Sequence, residues 1–271
     1  MTPNMVERNV ADVLRAVLTD TSAAVLAVHP SAEAIEELVN VMTELDDVPP
    51  VRLLAPESVL KSVTSDFILA STAADRIDDG VLELRAAEEP PTNSLLITEG
   101  AITAVVDASD RVAGLTTDEE AFVGSANDRY DELWAEANDF SLRTPPISRV
   151  RETLSDDLSP GIESDFSGVL ASLETARGDG DGLDEVTISL LVAAKNEALL
   201  YDISKWGEDV GIASKATFSR TKTKLEDMGL LDTEKVPIDV GRPRLRLMLG
   251  DDRLRDSDTD QLASVAQTIL T

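Results

Sequence analysis

Between residues 186 and 249 the chain is punctuated more tightly than anywhere else, and that punctuation leaves few folds open. The apolar run from Val186 to Leu200 reads as one helix, Asp202 to Val210 as a shorter one opened by a capping aspartate, and Gly211 as its stop. Ser214 then caps a third helix, which runs to about Met228 and is closed by Gly229. Two strand candidates follow, Leu230 to Ile238 and Arg244 to Leu249, joined through Asp239-Val240-Gly241-Arg242-Pro243. Three helices with a short turn between the second and third, then a ribbon, give the outline of a winged helix-turn-helix. Pro237 fits only an edge or a bulge of such a ribbon, and a wing is an edge.

The faces of these elements carry different chemistry. Stepping about 100 degrees per residue puts Phe218, Leu225 and, at the margin, Thr221 on the inward side of the third helix. Ala216, Arg220 and Thr223 fall opposite, flanked by Thr217, Ser219 and Lys224. Arginine suits guanine edges in a major groove, and hydroxyls suit phosphates or bases. In the returning strand, Leu245, Leu247 and Leu249 share one face while Arg244 and Arg246 share the other, with Arg242 at the turn.

This basic run stands in a chain with 52 acidic and 24 basic residues and a formal net charge of -28. Residues 1–182 carry 36 acids and 12 bases, net -24, whereas residues 211–249 carry 5 acids and 8 bases, net +3. Six of the seven lysines lie between Lys195 and Lys235. The local excess of bases thus coincides with the third helix and the wing. An acidic, lysine-poor surface keeps a protein soluble where salt screens charges beyond about 3 Å at 1 M, which points to a salt-rich cytoplasm.

The first half reads as α/β. Ala23 to Val28 is a buried strand, a helix opened by Pro30-Ser31 carries Ile35, Leu38, Val39, Met42 and Leu45, and Val51 to Leu54 is a second strand. Strand, helix and strand with brief links make a crossover in a parallel sheet. Helical patterns cover Glu57 to Ile77, and strand candidates lie at Val81 to Arg85, Ser94 to Thr98 and Ala101 to Val106, the last two flanking a Glu99-Gly100 hairpin link. A helix from about Thr117 to Asn138 offers Phe122, Tyr130, Leu133, Trp134 and Ala137 for packing, and Thr144-Pro145-Pro146 marks a boundary. The expected domains are an α/β regulatory domain at 1–143, sensing a ligand or forming a dimer, and a mainly α domain at 144–271 with its winged-helix core at about 183–250.

Catalytic signatures are missing. The chain has no cysteine and one histidine, so thiolate chemistry and histidine-pair metal sites are excluded, and no metal or cofactor is expected. No GxGxxG, GxxxxGK or GxSxG occurs. Acidic pairs such as Asp46-Asp47, Asp78-Asp79 and Glu88-Glu89 are expected by chance among so many carboxylates, and read as a solvated face. His29, just past an apolar strand, is a weak candidate for an effector site, since strand ends often face a ligand crevice; a local hydrogen bond is the plainer reading. No run of about 18 apolar residues and no leader pattern occurs, so a cytoplasmic protein without a membrane partner is expected.

Ile147 to Leu158 and Ile162 to Ala176 read as helices broken at Ser159-Pro160-Gly161. GDGDG at 178–182 reads as a hinge or turn rather than a calcium loop, because Leu183 stands where a third oxygen ligand belongs. The C-terminal helix, about Asp258 to Ile269, has Leu262, Val265, Ala266 and Ile269 on one side, for a second copy or for its own domain.

The stretch DISKWGEDVGIASKATFSRTKTKLEDMGLLDTEKVPIDVGRPRLRL resembles the haloarchaeal TbsP regulator family, and the resemblance runs nearly the whole length. It implies an N-terminal regulatory domain, a C-terminal winged helix-turn-helix and a sequence-specific regulator of metabolic genes in a halophilic archaeon, not an enzyme. Carried over onto this sequence are Lys215, Thr217, Ser219 and Arg220 on the recognition helix, about 214–228, and Arg242, Arg244 and Arg246 on the wing, about 230–249. One departure is Lys222, four residues after Phe218, where many winged helices have an aliphatic residue; its stem can pack while its ammonium reaches a phosphate. Promoter DNA, a second copy and a small-molecule effector are the expected partners. The competing reading is a winged helix that binds protein in a regulatory complex without touching DNA.

Overall fold

The computed structural model describes residues 4–88, 92–173, 175–177, 183–238 and 243–270. These form two compact units, one of residues up to Ser65 with Thr72–Leu142, the other of Asp66–Ser71 with residues from Arg143 onward. Glu89, the GDGDG stretch at 178–182 and residues 239–242, among them the DNA-contact candidate Arg242, lie outside the described residues.

In the first unit the chain runs β1 (Met5–Glu7), α1 (Val10–Thr19), β2 (Val25–Val28), α2 (Ala32–Glu44), β3 (Val51–Pro56), α3 (Glu57–Val63), α4 (Phe67–Asp78, which belongs to this unit from Thr72 onward), β4 (Leu82–Ala87), β5 (Leu95–Ile97), β6 (Ile102–Asp107), β7 (Val112–Thr117), α5 (Glu120–Glu136) and β8 (Asn138–Asp139). The strands make one eight-stranded sheet in the order β1-β7-β6-β5-β2-β3-β4-β8. Its centre is parallel, β2 on β3 on β4, as the strand-helix-strand pattern requires. All four residues of β2 are buried, because a parallel strand is covered on both faces. The Glu99-Gly100 link does join an antiparallel pair, with Thr98 N donating to Ala101 O at 2.9 Å. α5 covers one face with Val123, Tyr130 and Trp134, and the Arg52 and Arg85 guanidinium carbons lie 5.5 and 4.8 Å from the Trp134 ring centre.

Several expectations need correction. The helical stretch from Glu57 to Ile77 is two helices, broken at 64–66, where the Asp66 carboxylate turns back to accept from Leu69 N at 3.0 Å. α5 starts at Glu120, because Thr117 ends β7. Phe122 does not pack in the core and is 56% exposed. β1, α1, β7 and β8 complete the sheet and its cover beyond the elements expected.

The second unit continues with α6 (Ile147–Asp157), α7 (Pro160–Ala171), α8 (Glu185–Lys195), α9 (Leu200–Val210), α10 (Lys215–Asp227), β9 (Leu231–Val236), β10 (Arg244–Leu249), α11 (Asp252–Arg255) and α12 (Thr259–Leu270). α8 is its axis, buried from Val186 to Ala194 without interruption. A helix apolar all round must be enclosed, and α6, α7, α9, α10, α12 and Phe67 contribute to that enclosure. Of the two roles open to the C-terminal helix, packing on its own domain is the one observed: Leu262, Ala263 and Ala266 are buried in this core, with Val265 and Ile269 against it.

A polar knot ties three of these helices together. Asp165 on α7 accepts from Lys195 Nζ at 2.8 Å, Thr259 Oγ1 at 2.5 Å and Asn196 Nδ2 at 2.7 Å. Burial alone would raise the Asp165 pKa, but the hydrogen bonds from Lys195, Thr259 and Asn196 outweigh it and hold the carboxyl below its ordinary value.

Candidate nucleic-acid interface

The helix-turn-helix is set by a glycine and a phenylalanine. Phe218, fully buried on α10, lies so close to Gly207 of α9 that an added Cβ there would sit 2.3 Å from the ring. Only glycine lets the two helices cross at this distance. Gly211 ends α9 in the left-handed region at φ 95°, which L side chains rarely adopt. Ser214 then accepts from Thr217 N at 3.2 Å as the N-cap of α10, and Gly229 closes that helix at φ 76°, both as the sequence reading has them.

α9 and the end of α8 differ from expectation. α8 stops at Lys195, Glu197 takes a left-handed φ of 52°, and α9 begins at Leu200, so Asp202 lies in its first turn and is not its cap. The freed residues 198–199 pair with the wing: Leu247 N donates to Ala198 O at 2.9 Å, and Leu199 bridges Arg246. β10 is therefore flanked on both sides, by β9 in full antiparallel register and by this short segment. Leu247 and Leu249 are buried beneath it, which fixes Arg244 and Arg246 on the other face.

Ser219, Arg220, Thr223 and Lys224 are exposed along α10, while Lys215 and Thr217 are half-buried at its start. Thr217 Oγ1 lies 3.0 Å from the Ser214 hydroxyl, and the Arg220 guanidinium folds over the first turn, donating to Ala216 O and Thr217 Oγ1 at 3.4 Å each. Lys215 Nζ pairs with Glu208 Oε2 of α9 at 2.6 Å. Their hydrogen bond raises the lysine pKa and lowers that of the glutamate. On the wing, Arg246 pairs with Glu234 of β9 at 3.4 Å. Arg244 lies with its guanidinium carbon 3.5 Å from the centre of the Tyr201 ring. Tyr201 is absent from the sequence reading, although an aromatic in the first turn of α9 was a visible partner for a wing arginine.

Lys222 behaves differently from expectation. Its side chain is 11% exposed and its ammonium is held by Glu226 at 2.6 Å, while Glu226 also accepts from Thr233 Oγ1 of β9 at 2.8 Å. Lys222 thus fastens helix to wing and does not face outward, which fixes the rotation of α10 with Phe218 and Leu225 inward.

In the other unit, His29 ends β2 with φ 47°, half-buried, its N–H donating to Leu54 O at 2.8 Å. Among the described residues no cluster of three His, Asp or Glu side chains is placed to hold a metal ion, and no helix is long and apolar enough to cross a membrane.

Comparison with known proteins matches the two halves separately. Residues 2–145 match the N-terminal domain of TbsP-like transcriptional regulators, and residues 146–267 match their C-terminal HTH domain. The chain belongs to the TbsP-like transcriptional regulator family. Within this TbsP-like protein the helix-turn-helix match covers α6 through most of α12. No curated protein matches the chain. Among solved structures it is similar to TrmBL2, an archaeal chromatin protein, with 16% identity and a TM-score of 0.39, covering 51% of this chain and 54% of that one. The TbsP-like chain thus spans about half the length of TrmBL2. It is also similar to the phospholipase D family member Nuc from Salmonella typhimurium, with 10% identity, TM-score 0.36 and coverage of 51% and 97%. NucT from Helicobacter pylori gives 12% identity, TM-score 0.35 and coverage of 51% and 98%.

Proposed function

We propose that this TbsP-like protein is a sequence-specific, DNA-binding transcription regulator, working as a homodimer in a salt-rich archaeal cytoplasm and controlling metabolic genes. α10 enters the major groove and the wing holds the flanking backbone. On this reading Arg220, Ser219 and Thr223 approach base edges, Thr217 sits at the helix N-terminus near phosphate, and Lys215, Lys224, Arg242, Arg244 and Arg246 meet phosphates. Domain 1–143 is the regulatory part, with His29 as a candidate effector residue, and 144–271 is the DNA-binding part. What carries the proposal is the coincidence of net +3 over residues 211–249 with an exposed helix face and wing, in a chain of net -28.

The ion pairs add a mechanism. On this reading Lys215 and Arg246 exchange Glu208 and Glu234 for phosphates when DNA binds. The released carboxylates then take up cations, while DNA loses about one counterion for each phosphate neutralised. Uptake offsets release, so affinity falls less with salt than for a regulator whose bases are free. Glu208 and Glu234 thus make DNA binding compatible with molar KCl.

The test is equilibrium binding to promoter fragments selected from genomic DNA, across a series of KCl concentrations. Reversing Arg242, Arg244 and Arg246 to glutamate is expected to weaken binding about 100-fold or more with folding intact. Unchanged affinity removes the wing from the interface. A steep loss of wild-type binding with rising KCl contradicts the cation-uptake mechanism.

A further inference from the structure

The α/β unit has an apolar groove between α5 and the β6–β7 hairpin, with a volume of about 860 Å³. Seven large apolar side chains are exposed among the described residues, and three of them, Val106, Leu115 and Phe122, line this one groove, each about half exposed. Such clustering is not the scatter of single apolar residues that any surface shows. Phe122, Ala126 and Arg129 lie on one face of α5 at spacings of four and three residues, so the exposed ring and the guanidinium point the same way.

The charge of the groove selects its occupant. Residues 1–182 carry net -24, yet the described groove lining holds one carboxylate, Asp107, and one guanidinium, Arg129, both exposed. Two copies of so acidic a chain repel through most of their surface, and can approach only where acid is balanced by base. A twofold contact sets residue i of one copy against residue j of the other, and j against i. A face with one charge of each sign around an apolar centre is therefore complementary to itself. The C-terminal helix offers no comparable face, since its apolar side is buried in its own unit.

We propose that a second copy of this chain docks on this groove, Phe122, Leu115 and Val106 of each copy closing over those of the other while Asp107 of each copy meets Arg129 of its partner. The proposal places the interface of the dimer inferred above and rests on that reading only for the expectation of two copies.

The test is the molar mass of the full chain, by light scattering or sedimentation, in about 1 M KCl, where charges act over only about 3 Å and pairs in contact still count. Wild type is expected at twice the 29.1 kDa of one chain. Phe122→Asp, Asp107→Arg and Arg129→Glu should each weaken association more than about 100-fold, because each sets a desolvated or like charge across the axis. The deciding sample mixes Asp107→Arg with Arg129→Glu: both contacts of the mixed pair are then of opposite sign, and the dimer should return. Intrachain pairing could not produce that rescue. A monomeric wild type would give the groove to another ligand and overturn the proposal, as would an intact Phe122→Asp dimer or a mixture that stays monomeric. None of these readouts involves DNA, so a dimer that ignores DNA would sink the regulator reading and leave the interface standing.

Discussion

Phe218 and Phe122 sit on helices of similar amphipathic look, yet one is wholly enclosed and the other is 56% exposed. On α10 the chain supplies everything the ring needs: Gly207 opposite it, Leu225 two turns on, and α8 beneath. On α5 Tyr130, Trp134 and Val123 are buried against the sheet with Ala126 and Leu133 packed beside them, while Phe122 and Arg129 lie exposed along the groove. The carboxylates differ in the same way. In the helix-turn-helix unit Glu208, Glu226 and Glu234 each hold a base, whereas those of the α/β unit greatly outnumber its bases. The C-terminal unit encloses its central helix; the N-terminal unit exposes Val106, Leu115 and Phe122 along one groove.

The two tryptophans, Trp134 in one unit and Trp206 in the other, allow each half to be followed separately in single-tryptophan versions. The largest effect is expected for Phe218→Ala, which should lower the stability reported by Trp206 by about 4 kcal/mol, with Trp134 unaffected. Denaturant titration checks this, and a loss below about 1 kcal/mol would break the claim that the ring organises the crossing. Asp165→Asn should cost about 2 kcal/mol near neutral pH through its charged hydrogen bonds. Because the folded-state pKa of Asp165 is depressed, its contribution is present above the unfolded carboxylate pKa and disappears as pH falls through the folded value. The gap between variant and wild type should therefore close in acid; a gap that persists there would assign the loss to packing. The smallest effect is expected for Phe122→Ala, within about 0.5 kcal/mol at the Trp134 probe in dilute, dissociated protein. A larger loss would mean that the ring belongs to the core after all.

Much of this was legible in the sequence, for identifiable reasons. Ser214, Gly211 and Gly229 have few alternative uses, so α10 and the ends of its neighbours follow from residue type. The alternation of RLRLML orients the wing, and β2–α2–β3 follows from apolar runs with short links. The break at Asn196-Glu197 was hidden because Glu, Ala and Leu all favour continued helix; the left-handed Glu197 is imposed by the wing strand that 198–199 must meet. Lys222 was misplaced because its partner, Glu226, is engaged from β9 as well as from its own helix. Phe122 looked like core because periodicity reports that a face is apolar and does not report what covers it. α1, with Asn9 accepting from Asp12 N and Val10, Val13, Leu14, Val17 and Leu18 buried, carried a readable signal.

The division of labour between the two faces can be read in a single photo-crosslinking experiment on the full chain with promoter DNA, placing a photoreactive side chain at Ser219 or at Phe122. From position 219 the account predicts DNA as the captured partner, and from position 122 a second copy of the chain. Capture of DNA from position 122, or of protein alone from position 219, would contradict it.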